Sequence, residues 1–175
     1  MVGNENGHYE EIAAGYEDAF FYAAGAYQDH LLEKVSLHLR FNGRPGPKKL
    51  RFVDLGGGTG NFTQALCDAH KLMRKAICVD PFQEMLDQAT PYTSVETLCL
   101  GAVEFAQEEN QVYDRVLLKE VVHHVPDAEV PGMYSGLFKQ LTPGGIALTV
   151  TRPQEVDYPL FEAARQVWRG EHPGA

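Results

Sequence analysis

The chain has 175 residues, with 15 Lys and Arg against 24 Asp and Glu and a net charge of −9. That length suits one domain with a single core, and no stretch approaches the roughly 20 apolar residues that cross a bilayer. The acidic surplus repels a phosphate backbone, so nucleic acid is not expected as a partner.

Met1 to His8 is polar, without the basic start and apolar run of a secretory signal, so a cytoplasmic location is expected. Apolar residues recur at helical spacing from Tyr9 through Ala24, and again from about Gln28 to Leu39. Asn42 to Pro47, with two prolines and two glycines, breaks the helix and links it to the core. From there the pattern alternates. Leu50–Leu55 reads as a buried strand, Phe62–Met73 as a helix with Phe62, Ala65, Leu66, Ala69, Leu72 and Met73 on one face, and Ala76–Asp80 as a second strand. Phe82–Ala89 is a short helix, Val95–Leu100 a strand, Ala102–Glu108 a weak helix and Val112–Lys119 a strand. Glu129–Leu141 follows as a helix and Gly145–Thr151 as a fifth strand. A further helical face spans Leu160–Trp168.

Strands interleaved with helices predict an α/β fold, a Rossmann-like, doubly wound and mainly parallel sheet of about five strands. The expected organisation is one domain over residues 1–175: a helical cap and linker over 1–47, the sheet core over 48–151 and a helical tail over 152–175. Cys67, Cys78 and Cys99 each lie in an apolar run without CxxC spacing. They are expected to be reduced, packed thiols, with no metal site.

The most informative run is Phe52-Val-Asp-Leu-Gly-Gly-Gly-Thr-Gly-Asn61, a buried strand emptying into a glycine loop and then a helix. Glycine is needed where φ is positive or where a Cβ would collide with a ligand, and the amides of the next helix offer donors. In an open α/β sheet such a loop lies at the carboxyl ends of the strands, near the switch point where ligands bind. Two cofactor classes compete for it. The dinucleotide fingerprint G-x-G-x-x-G is not met, because Gly56, Gly58 and Gly60 give G-x-G-x-G, and no Gly-Lys-Ser/Thr makes a P-loop. Asp54 suits a ligand bearing ammonium and sulfonium groups better than a pyrophosphate. Asp80 closes the second strand, where a carboxylate accepts both ribose hydroxyls or caps the helix from Phe82.

Together, Val-Asp54-Leu-Gly56-Gly-Gly58-Thr-Gly60, Val79-Asp80, the run Tyr113-Asp-Arg-Val-Leu-Leu-Lys-Glu-Val-Val-His123-His124-Val-Pro-Asp127 and Leu141-Thr-Pro-Gly144-Gly145 resemble the successive motifs of class I S-adenosylmethionine-dependent methyltransferases. The likeness spans about Tyr9 to Thr151 and is nearest the small-molecule group that includes ubiquinone and menaquinone biosynthesis enzymes. It implies S-adenosyl-L-methionine as cofactor, with S-adenosyl-L-homocysteine as product. Gly56, Gly57, Gly58 and Gly60 would line the methionine portion, Asp54 would help hold the amino group, and Asp80 would bind the ribose. Met85 would lie near the adenine, and Tyr16 would cap the cofactor or pack in the core. The family often has an aspartate after the glycine ending strand three. Here Ala102 and Val103 stand there instead, so adenine recognition would rely on backbone groups.

Lys119 and Glu120 would face the region from which the methyl leaves. The Asn-Pro-Pro-aromatic motif of many nucleobase and glutamine methyltransferases is lacking, which favours a small-molecule substrate. His123 and His124 are candidate general bases, since imidazole titrates near neutrality, or they fix the turn and helix that follow. Methyl transfer is an in-line displacement needing proximity and alignment more than a catalytic residue. Two other classes stay open: a cofactor-binding but inactive domain acting through a partner, and a nicotinamide oxidoreductase or other nucleotide binder. The family's sheet usually continues with an antiparallel pair beside strand five, and those C-terminal strands are missing from the pattern here. The expectation is a truncated or alternative form whose strand-five edge is covered by a homodimer or protein partner.

Overall fold

The computed structural model describes residues 13–15, 25–41, 43, 46, 49–89, 91–109 and 112–151. A 3-10 turn, Ala13–Gly15, precedes α1 (Gly25–Leu39), and the rest of the predicted first helix lies outside the described residues, as do Tyr16 and the predicted tail helix. The core then alternates through β1 (Phe52–Leu55), α2 (Asn61–His70), β2 (Ala76–Asp80), α3 (Gln83–Asp87), β3 (Val95–Cys99), α4 (Ala102–Gln107), β4 (Tyr113–Lys119), α5 (Val130–Gln140) and β5 (Leu141–Val150).

All four strand pairings are parallel, in the order β3-β2-β1-β4-β5. The chain winds outward from β1 to β3 and returns to the other side of β1 as β4, so the switch point falls between β1 and β4. This is the Rossmann-like sheet that the alternation predicts. Because helices cover both faces, the central strands are buried on successive residues rather than on alternate ones: β1 is buried throughout and β4 nearly so.

Odd and even positions of each strand serve different helices. Phe52 and Leu117 pack with Val35 and Leu39 of α1 and Phe62 and Leu66 of α2 on one face. Val53, Leu55, Val116 and Leu118 pack with Phe105 of α4 and Met133 and Leu137 of α5 on the other. Leu39, Leu66 and Leu117 are fully buried, and each such side chain contributes about 1.5–3 kcal/mol by leaving water. Arg115 is buried at the start of β4, where its guanidinium donates to the carbonyls of Leu39 and Arg40 and fastens the end of α1 to the sheet.

Several boundaries differ from the periodicity. α2 ends at His70 because Lys71 turns left-handed, φ 50°, so Met73 leaves the predicted apolar face and is 68% exposed. β5 begins at Leu141, before Gly145, because the strand absorbs Pro143 and Gly144 in a register shift opposite Tyr113 and Arg115. Cys67 and Cys78 are packed thiols as expected, but Cys99 is exposed, since β3 is an edge strand whose last four residues face solvent.

Candidate active site

Gly56 to Gly60 bend over the carboxyl ends of β1 and β2. Gly56, Gly58 and Gly60 have φ of 67°, 56° and 71°, in the left-handed region that disfavours side chains. Space forbids them as well: a Cβ on Gly56 would lie 2.3 Å from Val121 Cγ2, and one on Gly57 2.5 Å from Cys78 Sγ. Gly58 is different, because its Cβ would meet only the terminal methyl of Met85, at 3.1 Å. The loop hangs from β2 by two bonds, from the amides of Gly56 and Gly57 to Val79 O at 2.7 and 3.1 Å.

Asp80 ends β2 beside this loop and is 6% exposed. One carboxylate oxygen accepts the Gly58 amide and the other the Phe82 amide, both at 3.0 Å. Burial pushes its carboxyl above the ordinary range, opposed by those two amides. It thus tightens the turn that leads into α3, whose N-cap is Phe82 and not Asp80. A carboxylate has about four lone-pair sites, so two remain for a ligand's hydroxyls.

Asp54 lies deeper and is fully buried. Its Oδ2 accepts the Thr63 hydroxyl at 2.7 Å, and its Oδ1 has no hydrogen-bond partner among the described residues. Burial raises its carboxyl to about 6, against the lowering influence of Thr63 and of the Lys119 ammonium.

A family model described as a methyltransferase domain matches residues 52–145, more than half of the chain and the span that carries this loop, both acids and the sheet. The chain belongs to that methyltransferase family. No curated protein matches it. Among solved structures it is similar to DhpI in complex with SAH, with 20% identity, a TM-score of 0.67, and coverage of 86% of this chain and 69% of that one. It is also similar to the N-methyltransferase NodS from Bradyrhizobium japonicum WM9 in complex with S-adenosyl-l-homocysteine, with 16% identity, a TM-score of 0.62, and coverage of 82% and 70%. Coclaurine N-methyltransferase bound to N-methylheliamine and SAH shares 16% identity at a TM-score of 0.57, over 69% of this chain and 35% of that one. At such identities these likenesses establish the fold.

The methyltransferase domain gathers most of the residues singled out in its sequence. Gly56, Gly57, Gly58, Gly60, Asp54 and Asp80 meet at one end of the sheet, with Met85 of α3, 3% exposed, beneath Gly58. Lys119 ends β4 with its Nζ 5.5 Å from the Phe62 ring centroid. Ala102 and Val103 open α4, half-buried, after the Gly101 amide donates to Glu104 Oε2 at 2.7 Å. His123 and His124 form a 3-10 turn with Val122, both exposed, their rings 3.9 Å apart.

Two contributors, Thr63 and Val121, escaped the pattern analysis, and Glu120, singled out there with Lys119, has a backbone the pattern did not foresee. Thr63 is buried inside α2 and bonds Asp54. Val121 fills the space that Gly56 leaves. Glu120 takes φ 60°, and its amide donates to Val150 O at 2.8 Å. Only Thr63 had a signal, as a hydroxyl one helical turn past a glycine loop that follows a buried acid. Among the described residues no helix is long and apolar enough to cross a membrane, and no His, Cys, Asp and Glu group could hold a metal ion.

Proposed function

We propose that this methyltransferase domain binds S-adenosyl-L-methionine between the glycine loop and Asp80 and transfers its methyl group to a small-molecule acceptor, leaving S-adenosyl-L-homocysteine. The observation that carries this reading is the cradle at the switch point. Left-handed glycines bring bare backbone to the carboxyl ends of β1 and β2, and a buried carboxylate with spare lone pairs stands beside them. The solved structures named above contain that cofactor's demethylated product.

Bound there, the cofactor supplies an electrophilic methyl on a sulfonium. The chain's own residues bind and orient. Asp80 accepts the ribose hydroxyls, Gly56, Gly57, Gly58 and Gly60 line the methionine portion, Asp54 supplies negative charge for the amino group, and Met85 with the backbone at Ala102 and Val103 borders the adenine. Tyr16, outside the described residues, is retained as a cap. Lys119 and Glu120 border the acceptor side, with His123 and His124 as the nearby imidazoles for proton removal. Alignment and exclusion of water are the chain's main contribution.

The acceptor is a small molecule on this reading because a net charge of −9 opposes a polyanionic substrate. A cytoplasmic location and pairing of the β5 edge with a second copy or a protein partner belong to the same reading. β5 bonds to β4 alone among the described strands, and light scattering that finds only monomer overturns the pairing with a second copy. S-adenosylhomocysteine is expected to raise the melting temperature, and NAD and ATP at equal concentration are not. Equal stabilisation by NAD overturns the cofactor assignment, and turnover against a metabolite panel tests the transfer.

A further inference from the structure

Asp54 presents an unusual electrostatic problem. It is fully buried, one oxygen is satisfied by Thr63, and the other meets no donor among the described residues. A buried carboxylate in that position takes up a proton unless a cation opposes it.

Sheet register identifies the cation. Asp54 pairs with Cys78 on β2 and with Leu117 on β4, so these three side chains share a face. Asp80 and Lys119, two residues further along the same strands, return to that face. α2 covers it, with Thr63 bonded to Asp54 and Phe62 under the Lys119 ammonium. Among the described residues the ionisable groups facing Asp54 are therefore Cys78 and Asp80 from β2, Lys119 from β4 and Cys67 from α2, with the neutral Thr63 hydroxyl beside it. The Cys67 and Cys78 thiols are each pushed up to about 12 by burial and carry no charge at neutral pH. Asp80 opposes ionisation of Asp54, and Lys119 is the one cation in the set.

We propose that Lys119 is the positioning residue that keeps Asp54 ionised beneath the glycine loop, and so sets the pH below which the site loses its grip on a cationic cofactor. The proposal rests on the cofactor reading above. Its logic runs opposite to simple charge repulsion. A lysine beside a cationic ligand ought to weaken binding directly, and its removal ought to strengthen binding at every pH. If Lys119 acts through Asp54, removal lets a solvent proton neutralise the carboxylate and binding weakens, but only on the acid side.

The test is S-adenosylhomocysteine affinity between pH 5 and 9 for the wild type, Lys119→Met, Lys119→Gln and Lys119→Arg, with a 13C NMR titration of the Asp54 carboxyl in the ligand-free proteins. The Met and Gln variants are expected to shift the acid limb upward by about one pH unit, the scale of a unit charge roughly 10 Å away at an effective dielectric near 20. Near pH 6 that makes binding about five- to tenfold weaker, with wild-type affinity regained above pH 8, and Lys119→Arg restores the wild-type limb. Tighter binding at all pH values in Lys119→Met, or an equal loss at all pH values, overturns the proposal. An Asp54 NMR midpoint unmoved by either neutral variant overturns the coupling itself. A wild-type protein that binds no S-adenosylhomocysteine at any pH overturns the cofactor reading instead, and the NMR result then judges the Lys119–Asp54 pair alone.

Discussion

The Gly58 amide donates to Asp80 Oδ2 at 3.0 Å, so the acid that ends β2 holds the loop that leaves β1. Asp80 has two functions on this account, loop anchor and ribose acceptor, and substitutions separate them. Asp80→Ala leaves the Gly58 and Phe82 amides without their acceptors and is expected to cost about 1–3 kcal/mol of stability. It also removes the ribose contact, and S-adenosylhomocysteine should bind about ten- to a hundredfold more weakly. Asp80→Asn keeps one acceptor oxygen and should fall between the two in both respects. Urea unfolding and calorimetric titration read the two effects separately, and full affinity in a folded Asp80→Ala protein would refute the ribose assignment.

The glycines of the loop are unequal. Gly56→Ala meets both penalties, about 1–2 kcal/mol for left-handed backbone and about 1–3 kcal/mol for overpacking, because the new methyl would stand 2.3 Å from Val121 Cγ2. Trimming the obstacle in Gly56→Ala/Val121→Ala should recover the packing part but not the backbone part. Gly58→Ala carries the same left-handed backbone penalty, φ 56°, but its methyl meets only the flexible end of Met85, so it should be destabilised less than Gly56→Ala while losing affinity for S-adenosylhomocysteine. Equal destabilisation by Gly56→Ala and Gly58→Ala, read from denaturant midpoints, would contradict the contact geometry.

Strand β2 was legible to the residue because Ala76-Ile-Cys-Val-Asp80 is apolar and then abruptly acidic. The loop was legible because so dense a glycine cluster has few other uses. The end of α2 was not: Leu72 and Met73 continue the helical spacing, and the stop comes from the left-handed turn at Lys71, a backbone choice that periodicity does not report. Arg115 was equally hidden, since a charged residue within an apolar strand declares its burial only once the carbonyls of Leu39 and Arg40 are in place. The depth of Asp54 belongs to the same class. Its position before the glycines marks it as part of the site, but the missing partner for Oδ1 depends on what three other elements bring to that face.

Acid stability should show two opposed contributions. Asp54 has its carboxyl raised by burial from an ordinary 3.8 to about 6. Its contribution is therefore fully present below pH 3.8 and is lost as the pH rises through 6. His70 runs the other way: burial lowers its imidazole below the ordinary 6.5, so its contribution is present above that value and fades as the pH falls. In the fold His70 stacks on Phe41 at 4.6 Å and meets Ser36 Oγ at 2.7 Å. Asp54→Asn removes the first term, and its stability should rise more steeply with pH between about 4 and 6 than that of the wild type. His70→Phe removes the second and should flatten the acid loss. Guanidinium unfolding at pH 4.5, 6 and 7.5 measures these slopes, and parallel curves for all three proteins would exclude both assignments.

Gly132 and Gly136 lie one turn apart on α5, yet replacing them by alanine should move stability in opposite directions. Alanine is favoured over glycine inside a helix by about 1 kcal/mol, because glycine gives up more backbone freedom on folding. At Gly132 nothing stands within 4 Å of a new Cβ, so Gly132→Ala should stabilise by up to that amount. At Gly136 the same methyl would fall 2.0 Å from the carbonyl oxygen and 2.8 Å from the carbonyl carbon of Ala106. Both are backbone atoms of α4, which cannot rotate aside like a side chain, so the helices must separate. That separation also strains the bonds from Gln140 Nε2 to the carbonyls of Phe105 and Glu108, at 2.8 and 3.0 Å. The overpacking cost of about 1–3 kcal/mol should therefore exceed the helical gain and leave Gly136→Ala destabilised. Because α4 begins at Ala102 and Val103, its displacement should weaken S-adenosylhomocysteine binding in Gly136→Ala and leave Gly132→Ala unaffected. Melting temperatures with and without the ligand check both halves, and a Gly136→Ala protein as stable as Gly132→Ala would show that the two helices are not in contact at that point.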